Sequence, residues 1–457
     1  MPLPLFILCI ALCILAVPAT GYWIVVLIES IRTARALPTA AQALGFPEAK
    51  LIAASPASQP RILVVIPAHN EQAVIARVTA SLCALHYTNF HAVFALDRCT
   101  DQTRARLQAA AKRPDGSPDT RIGFVEIDTC PPDWAGKVNA IHQAVQRTIS
   151  AEPAGESTFD YILFADADTT FHPDCLIAAM SLLKHSKLDM LSLMSTLSVS
   201  TWFELCVQPA AGFQLLVQYP PRRANRAANR RPIGNGQFML FSRACYSAID
   251  GHTHVKDHLL EDIALARLVH LRGMNPGFLP AAGMFYCEMY RDWAQFQRGW
   301  KRIFAELSSR SPSRLRKYAS RLFIFSALLP SLAVVAILAG VSIALATGDI
   351  LGWITAGFGA TAIAALLAAM FTGGGWSKMP AAAAFLHPIG AFLTVRIMFA
   401  AAAEIQRGEP VLWGGRSYDL SKPLGPLPGY IDGRPPTPAG PPATASAAVQ
   451  YEPVSTV

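Results

Sequence analysis

The chain has 457 residues, 52% of them hydrophobic and only 15% charged, with a net charge of +8. Soluble globular chains run nearer a quarter charged, so these proportions exclude a wholly water-exposed protein and point to membrane segments in part of the chain. The 9 cysteines are scattered singles without a CxxC pair, which excludes a disulfide framework or a cysteine zinc site and suits a reducing compartment.

Residues 5–28 carry no charge and are long enough to cross a bilayer as a helix. No Lys or Arg precedes them, whereas Arg32 and Arg35 follow. That asymmetry favours a retained anchor with its N-terminus outside over a cleaved signal peptide. After a linker at 32–59, Arg61–Pro67 (RILVVIP) reads as a strand and Gln72–Leu85 has helical spacing. Phe90–Leu96 is a second strand, with a helix from about Thr100; Ile122–Ile127 is a third, followed by a helix at Gly136–Arg147. Tyr161–Ala165 is a fourth strand. Continuously apolar strands alternating with helices imply an α/β domain with a mostly parallel sheet covered on both faces, over about 60–310. Further on, FMLFS reads as a strand after a glycine-flanked turn, and a helix begins at Glu261-Asp262.

Three more apolar stretches lie at 322–346, 351–373 and 380–403, within a membrane region of 311–405. Asp349 suits an outer connection and Lys378 an inner one. His387, Pro388 and Arg396 leave the last stretch open to spanning, tilting or lying at the interface. The remaining 406–457 is a membrane-proximal segment and a Pro/Ala-rich tail, expected to be disordered.

The positive charge is clustered. Arg222, Arg223, Arg226, Arg230 and Arg231 form one group; Arg298, Lys301, Arg302, Arg310, Arg314, Arg316, Lys317 and Arg321 form another, directly before an apolar stretch. No nucleic-acid motif accompanies them, so a collar facing anionic lipid headgroups on the cytoplasmic side is the better reading.

Ligands of parallel sheets bind beyond the carboxyl ends of the strands. His69, Asn70 and Glu71 follow the first strand, Asp97 the second, and Asp166 and Asp168 the fourth. No GxGxxG or P-loop is present to cradle phosphates. A divalent cation is the other way to hold a diphosphate, and two aspartates at i and i+2 offer hard oxygen ligands for Mn²⁺ or Mg²⁺. A plain turn also accommodates Asp166-Ala167-Asp168-Thr169. Asp97, at a strand tip, is read as a ligand contact, and Asp101 as a helix cap. Glu261 and Asp262 are either solvated first-turn acids or a source of a general base. The Gly234-Asn235-Gly236-Gln237 turn permits close backbone approach or an ordinary tight turn. Arg298, Trp300 and Lys301 offer a diphosphate contact with stacking, or simply the basic collar.

In this order, VVIPAHNE, LDRCTDQT, WAGKVNAIHQAV, ADADT, GNGQFMLFSR and LLEDIALA resemble the motifs of family 2 glycosyltransferases with the GT-A fold. The resemblance covers about 60–305. It implies nucleotide-sugar contacts at Pro67, His69, Asn70, Glu71, Asp97, Lys137 and Asp166, a metal on Asp166 and Asp168, an acceptor loop at Gly234–Gln237, and a base at Asp262 beside Glu261. The flanking spans, CEMYRDWAQFQRGWKR and VLWGGRSY look like the membrane lipid glycosyltransferases of the hopanoid, carotenoid and ceramide types. That implies inverting transfer from a UDP- or GDP-sugar to a membrane lipid, at the inner membrane. Two departures stand out. Gly299 separates Arg298 from Trp300 where processive synthases have Q-x-x-R-W, and Arg98 sits where Asp or Asn is common. A processive polysaccharide synthase and a non-catalytic transporter or scaffold are the competing readings. The acids cluster outside the spans and no internal repeat is evident, which disfavours a transporter.

Overall fold

The computed structural model describes residues 1–113, 115–151, 159–226, 231–413 and 416–418. The tail expected to be disordered, and Arg230, fall outside the described residues.

Among the described residues, ten strands build the α/β domain: β1 (Ile62–Ala68), β2 (Phe90–Asp97), β3 (Ile122–Ile127), β4 (Tyr161–Ala165), β5 (Thr169–Phe171), β6 (Met190–Met194), β7 (Thr196–Leu197), β8 (Phe238–Ser242), β9 (Pro276–Pro280) and β10 (Phe285–Cys287). Seven form one sheet in the order β3-β2-β1-β4-β8-β6-β9, and β5-β10-β7 form a smaller one. β1 to β4 pair in parallel, as their apolar runs imply. β8 runs antiparallel to both β4 and β6, so the sheet is mixed at its centre. β1 shows why its run is apolar throughout. Ile62, Val64 and Ile66 enter one core and Leu63 and Val65 the other, because successive side chains point to opposite faces.

The stretch 32–59 is not a bare linker. It folds into the helices Ala40–Ala43 and Pro47–Ala54, whose Ala43, Ala49 and Ile52 are buried in the same core as the Cys175–His185 helix.

Among the described residues, four helices are long and apolar enough to cross a membrane. They lie in Leu3–Ala36, a Phe323–Leu328 π-turn continuing into Leu329–Thr347, Ile350–Ser377 and Ala381–Arg407. Small residues let them touch backbone to backbone. A Cβ on Gly340 would lie 2.6 Å from the Gly352 carbonyl oxygen, so nothing larger fits there. The terminal amine of Met1 lies 3.7 Å from Asp349, which puts the N-terminus and the Asp349 connection at the same end of the bundle. The last of these helices is seated on the domain: a Cβ on Gly390 would overlap the Cys206 carbonyl oxygen at 1.9 Å.

Candidate active site

The polar residues singled out by the sequence converge on one cavity of about 1180 Å³ at the carboxyl ends of β1, β2 and β4. Drug-sized pockets run to about 1000 Å³, so this one has room for more than one small ligand. Pro67, His69, Asn70, Glu71, Asp97, Lys137, Asp166, Asp168, the Gly234–Gln237 turn, Glu261, Asp262, Arg298 and Trp300 all line it.

Lys137, in the first turn of the Gly136–Ser150 helix, ties the two halves of the site together. Its Nζ is 2.7 Å from Asp166 Oδ1 and 2.8 Å from Glu261 Oε1. Burial opposes its charge, but the two carboxylates outweigh burial and hold the ammonium firmly protonated. Burial also raises Glu261, yet the Lys137 charge and hydrogen bond win and keep it below the usual range. Glu261 is thus an ionised partner of Lys137.

Asp262 sits differently. Burial, and then the Glu261 charge, push its carboxyl up to about 6. Its Oδ2 accepts the Gly236 N–H at 2.8 Å and its Oδ1 the Ile263 N–H at 2.8 Å, which fixes its orientation. The two glycines of the turn are close-approach residues. A Cβ on Gly234 would be 2.5 Å from the Asp262 carbonyl oxygen, and one on Gly236 would be 3.0 Å from Lys137 Nζ.

Asp168 is half-buried, and desolvation followed by the Asp166 charge raises its carboxyl to about 7. The Cys287 thiol donates to it at 3.3 Å, because β10 pairs with β5 immediately after the aspartate. The Thr169 hydroxyl donates to the Asp166 carbonyl at 2.7 Å, so the turn and the paired carboxylates coexist. Among the described residues, no three His, Cys, Asp or Glu side chains gather into a ligand set. Mg²⁺ and related hard cations are held by one or two carboxylates plus substrate phosphates and water, so this pair fits such an ion without a third protein ligand.

Asp97 is 4% exposed and bonded at 2.8 and 2.7 Å by its neighbour Arg98, whose φ is +48°. The unusual arginine is therefore a clamp on the expected contact residue. His69 Nδ1 lies 2.6 Å from the Asp97 carbonyl oxygen, and Asn70 Oδ1 accepts the Thr100 N–H at 2.8 Å. Glu71 lies 3.7 Å from Arg291 at the opposite wall.

Lys301 does not reach the cavity; it pairs with Glu404 of the last membrane helix. Arg302 lines the cavity instead, where Tyr290, Glu261, Asp166 and Asp262 offset the burial that pulls its guanidinium below the ordinary arginine range. Gln295, Arg298 and Arg302 lie three and four residues apart and share one helix face, a spacing that could have identified Arg302. Gly299 has a packing reason: a Cβ there would meet the Tyr290 ring at 2.3 Å. The Tyr290 hydroxyl and Trp300 Nε1 are buried in the cavity wall with no hydrogen-bond partner in the described structure, and so can serve a ligand. Tyr418, beyond the last span, also lines the cavity and its hydroxyl accepts the Gly136 N–H at 3.4 Å. It ends the VLWGGRSY segment singled out by resemblance, although nothing local ties it to Gly136. Trp202, Phe203 and Trp293 form an aromatic cluster, with Trp202 and Trp293 ring centroids 5.0 Å apart, but do not line the cavity.

The sequence profile described as glycosyltransferase like family 2 matches residues 60–306, just over half of the chain. No curated protein matches it. Among solved structures, a mannosyltransferase from Pyrobaculum calidifontis in complex with GDP-Man and Mn²⁺ is 18% identical, with 86% of this chain and 99% of that one covered and a TM-score of 0.42. Glucosyl-3-phosphoglycerate synthase from Mycobacterium tuberculosis, in complex with Mn²⁺, UDP-glucose and phosphoglyceric acid, is 17% identical, covering 58% of this chain and 84% of that one with a TM-score of 0.34. S. aureus TarS 1–349 in complex with UDP-GlcNAc is 12% identical, over 78% and 95%, with a TM-score of 0.36. Likenesses this distant assign no substrate.

Proposed function

Because the chain belongs to glycosyltransferase family 2, a nucleotide-sugar enzyme with a GT-A domain, we propose that it transfers one sugar, with inversion, to a hydroxyl of a membrane lipid. The observation that carries this is the shared cavity. Lys137 links Asp166, of the paired aspartates, to Glu261, the neighbour of Asp262, and all of these acids line one cavity. The same cavity runs on to Tyr22, Val25 and Val26 of the first span and Ala369 and Met370 of the third.

The nucleotide lies across the tips of β1, β2 and β4, against Pro67–Glu71 and Asp97. Asp166 and Asp168 would hold a Mn²⁺ or Mg²⁺ ion, which when bound would supply Lewis-acid stabilisation of negative charge on the nucleoside diphosphate. Arg302 and Arg298 add positive charge on that side. The Tyr290 hydroxyl and the Trp300 indole donate to ligand oxygens. Asp262, oriented by Gly236 and Ile263, takes the proton of the attacking hydroxyl, since a carboxyl poised near 6 is ionised at neutral pH yet basic enough to share that proton. The Gly234–Gln237 turn borders the acceptor. Positioning and charge stabilisation supply most of the acceleration.

The arginine-rich end of the domain faces the cytoplasm and the Met1–Asp349 end faces outward, in keeping with the positive-inside rule. The test is Asp262→Asn in purified, folded protein, assayed by release of nucleoside diphosphate and by mass spectrometry of extracted lipids. Loss of transfer with donor binding retained supports the assignment; full turnover overturns it.

A further inference from the structure

The cavity is electrically divided. At its catalytic end the acids are set against Lys137, Arg298 and Arg302. Its membrane end is built from the first span, the Gln208–Gln218 and Pro221–Asn225 helices, Arg226, and Arg321. Arg32, Arg222, Arg223, Arg226 and Arg321 line the cavity there, with Glu29 among them. Glu29 is already bonded by Arg32 at 2.9 Å and Arg222 at 3.0 Å. The tract is therefore strongly positive while its walls, including Val25, Phe213 and Leu216, are apolar.

The arginines are close to the chemistry. Ala224, beside Arg223, is buried in one cluster with Ile263, the neighbour of Asp262. Asn225 fixes that short helix by bonding the Phe278 carbonyl at 2.7 Å and accepting its N–H at 2.9 Å. The element that carries the arginines is thus packed on the element that carries the base, and both line the one cavity. A neutral lipid gives this positive tract nothing to bind, and a phosphate without a hydroxyl gives Asp262 no proton to take.

We propose that the acceptor is an anionic lipid whose headgroup carries a free hydroxyl beyond its acidic group, a deepening that rests on the lipid-transfer reading above. Its acyl chains lie against the first and third spans. Its acidic group meets Arg222, Arg223 and Arg226, as guanidinium groups match phosphate oxygens in charge and geometry. Its hydroxyl reaches Asp262. The hydroxyl oxygen forms a bond to the anomeric carbon, the bond from that carbon to the diphosphate oxygen breaks with the electron pair leaving on the nucleoside diphosphate, and the hydroxyl proton passes to the Asp262 carboxylate.

The test uses the full chain in vesicles containing equal amounts of phosphatidylglycerol and diacylglycerol, so that both acceptors share one surface potential. A radiolabelled donor sugar is supplied and both glycolipids are quantified. Preference for phosphatidylglycerol by about tenfold or more is expected, since a charge-assisted contact is worth that much. In Arg222→Gln/Arg223→Gln/Arg226→Gln the ratio falls towards one, with nucleotide binding checking the fold. Arg223→Gln alone, at an exposed position, moves the ratio the same way by less. Equal labelling by the unaltered chain, or a preference that survives the triple substitution, would each overturn the proposal while leaving lipid transfer standing. Label on no lipid, with donor still consumed, would overturn the lipid-transfer reading itself.

Discussion

The position of Asp262 predicts a particular pH profile and a way to move it. Its carboxyl is held near 6 instead of its ordinary 3.8, first by burial and then by the negative charge of Glu261. If Asp262 is the base, kcat/KM rises with pH and reaches half its plateau near 6. At pH 5 roughly one molecule in ten carries the ionised form, so activity there is about a tenth of the plateau. Glu261→Gln removes the neighbouring charge and frees Lys137 from one of its two carboxylates, and both changes favour the Asp262 anion. The acidic limb therefore moves to lower pH. The measurement is the initial rate of nucleoside diphosphate release at low donor concentration, from pH 5 to 9 at constant ionic strength. A flat profile, or an acidic limb that moves upward in Glu261→Gln, would refute the assignment.

The same carboxyl has a signature in stability. A carboxyl raised by folding binds its proton more tightly in the fold than in the unfolded chain, so stability declines as pH rises from about 4 to about 6. Asp262→Asn removes that cost. Because water in the cavity screens a half-buried group, the gain at pH 8 is roughly 1 to 3 kcal/mol, seen as a higher Tm that converges with the unaltered protein near pH 4. Lys137→Met breaks a buried bridge to two carboxylates and costs about 3 kcal/mol, the low end of the range for such pairs because the ammonium is still 27% exposed. Urea unfolding of the detergent-solubilised chain reads it, and an unchanged midpoint would count against the bridge. Gly299→Ala drives a methyl into the Tyr290 ring and costs about 1 to 3 kcal/mol, much of it recovered in Gly299→Ala/Tyr290→Ala by a double-mutant cycle. EDTA is expected to abolish turnover, with Mn²⁺ or Mg²⁺ restoring it in the unaltered chain but not in Asp168→Asn; chelator-resistant turnover would remove the cation from the scheme.

The sequence was most legible where burial is continuous. β1, β2 and β4 are parallel strands buried nearly throughout, and each is a largely apolar run with candidate ligand-binding acids at or just beyond its end, whereas the edge strand β3 is only partly buried and carries the exposed Glu126. The remaining strands give little signal. β5, β7 and β10 are two or three residues long and exist through pairing, and β9 has a proline at each end, tolerable because it lies at the sheet edge. The antiparallel course of β8 is set by topology and leaves no mark on FMLFS. Arg302 was hidden by a neighbour of the same charge, and only helix phase separates it from Lys301. Tyr418 lies 282 residues from the amide it meets, a contact that no local pattern encodes.

The site is assembled from two halves that fold on different logic. The parallel strands deliver Asp97, Asp166 and Asp168, while the loop before β8 and the Glu261–Leu271 helix deliver Gly236, Glu261 and Asp262. Carboxylates from both halves would repel across the cavity, and Lys137 bridges them, with one bond to each side. It satisfies Glu261 and leaves Asp262 under the influence of burial and of that ionised neighbour. The ion pair that stabilises the seam thus also sets which acid of the adjacent pair stays a fixed anion and which one can exchange a proton. Swapping those roles would require moving the lysine, and the glycine at 236, whose missing Cβ leaves room for Nζ, holds it where it is.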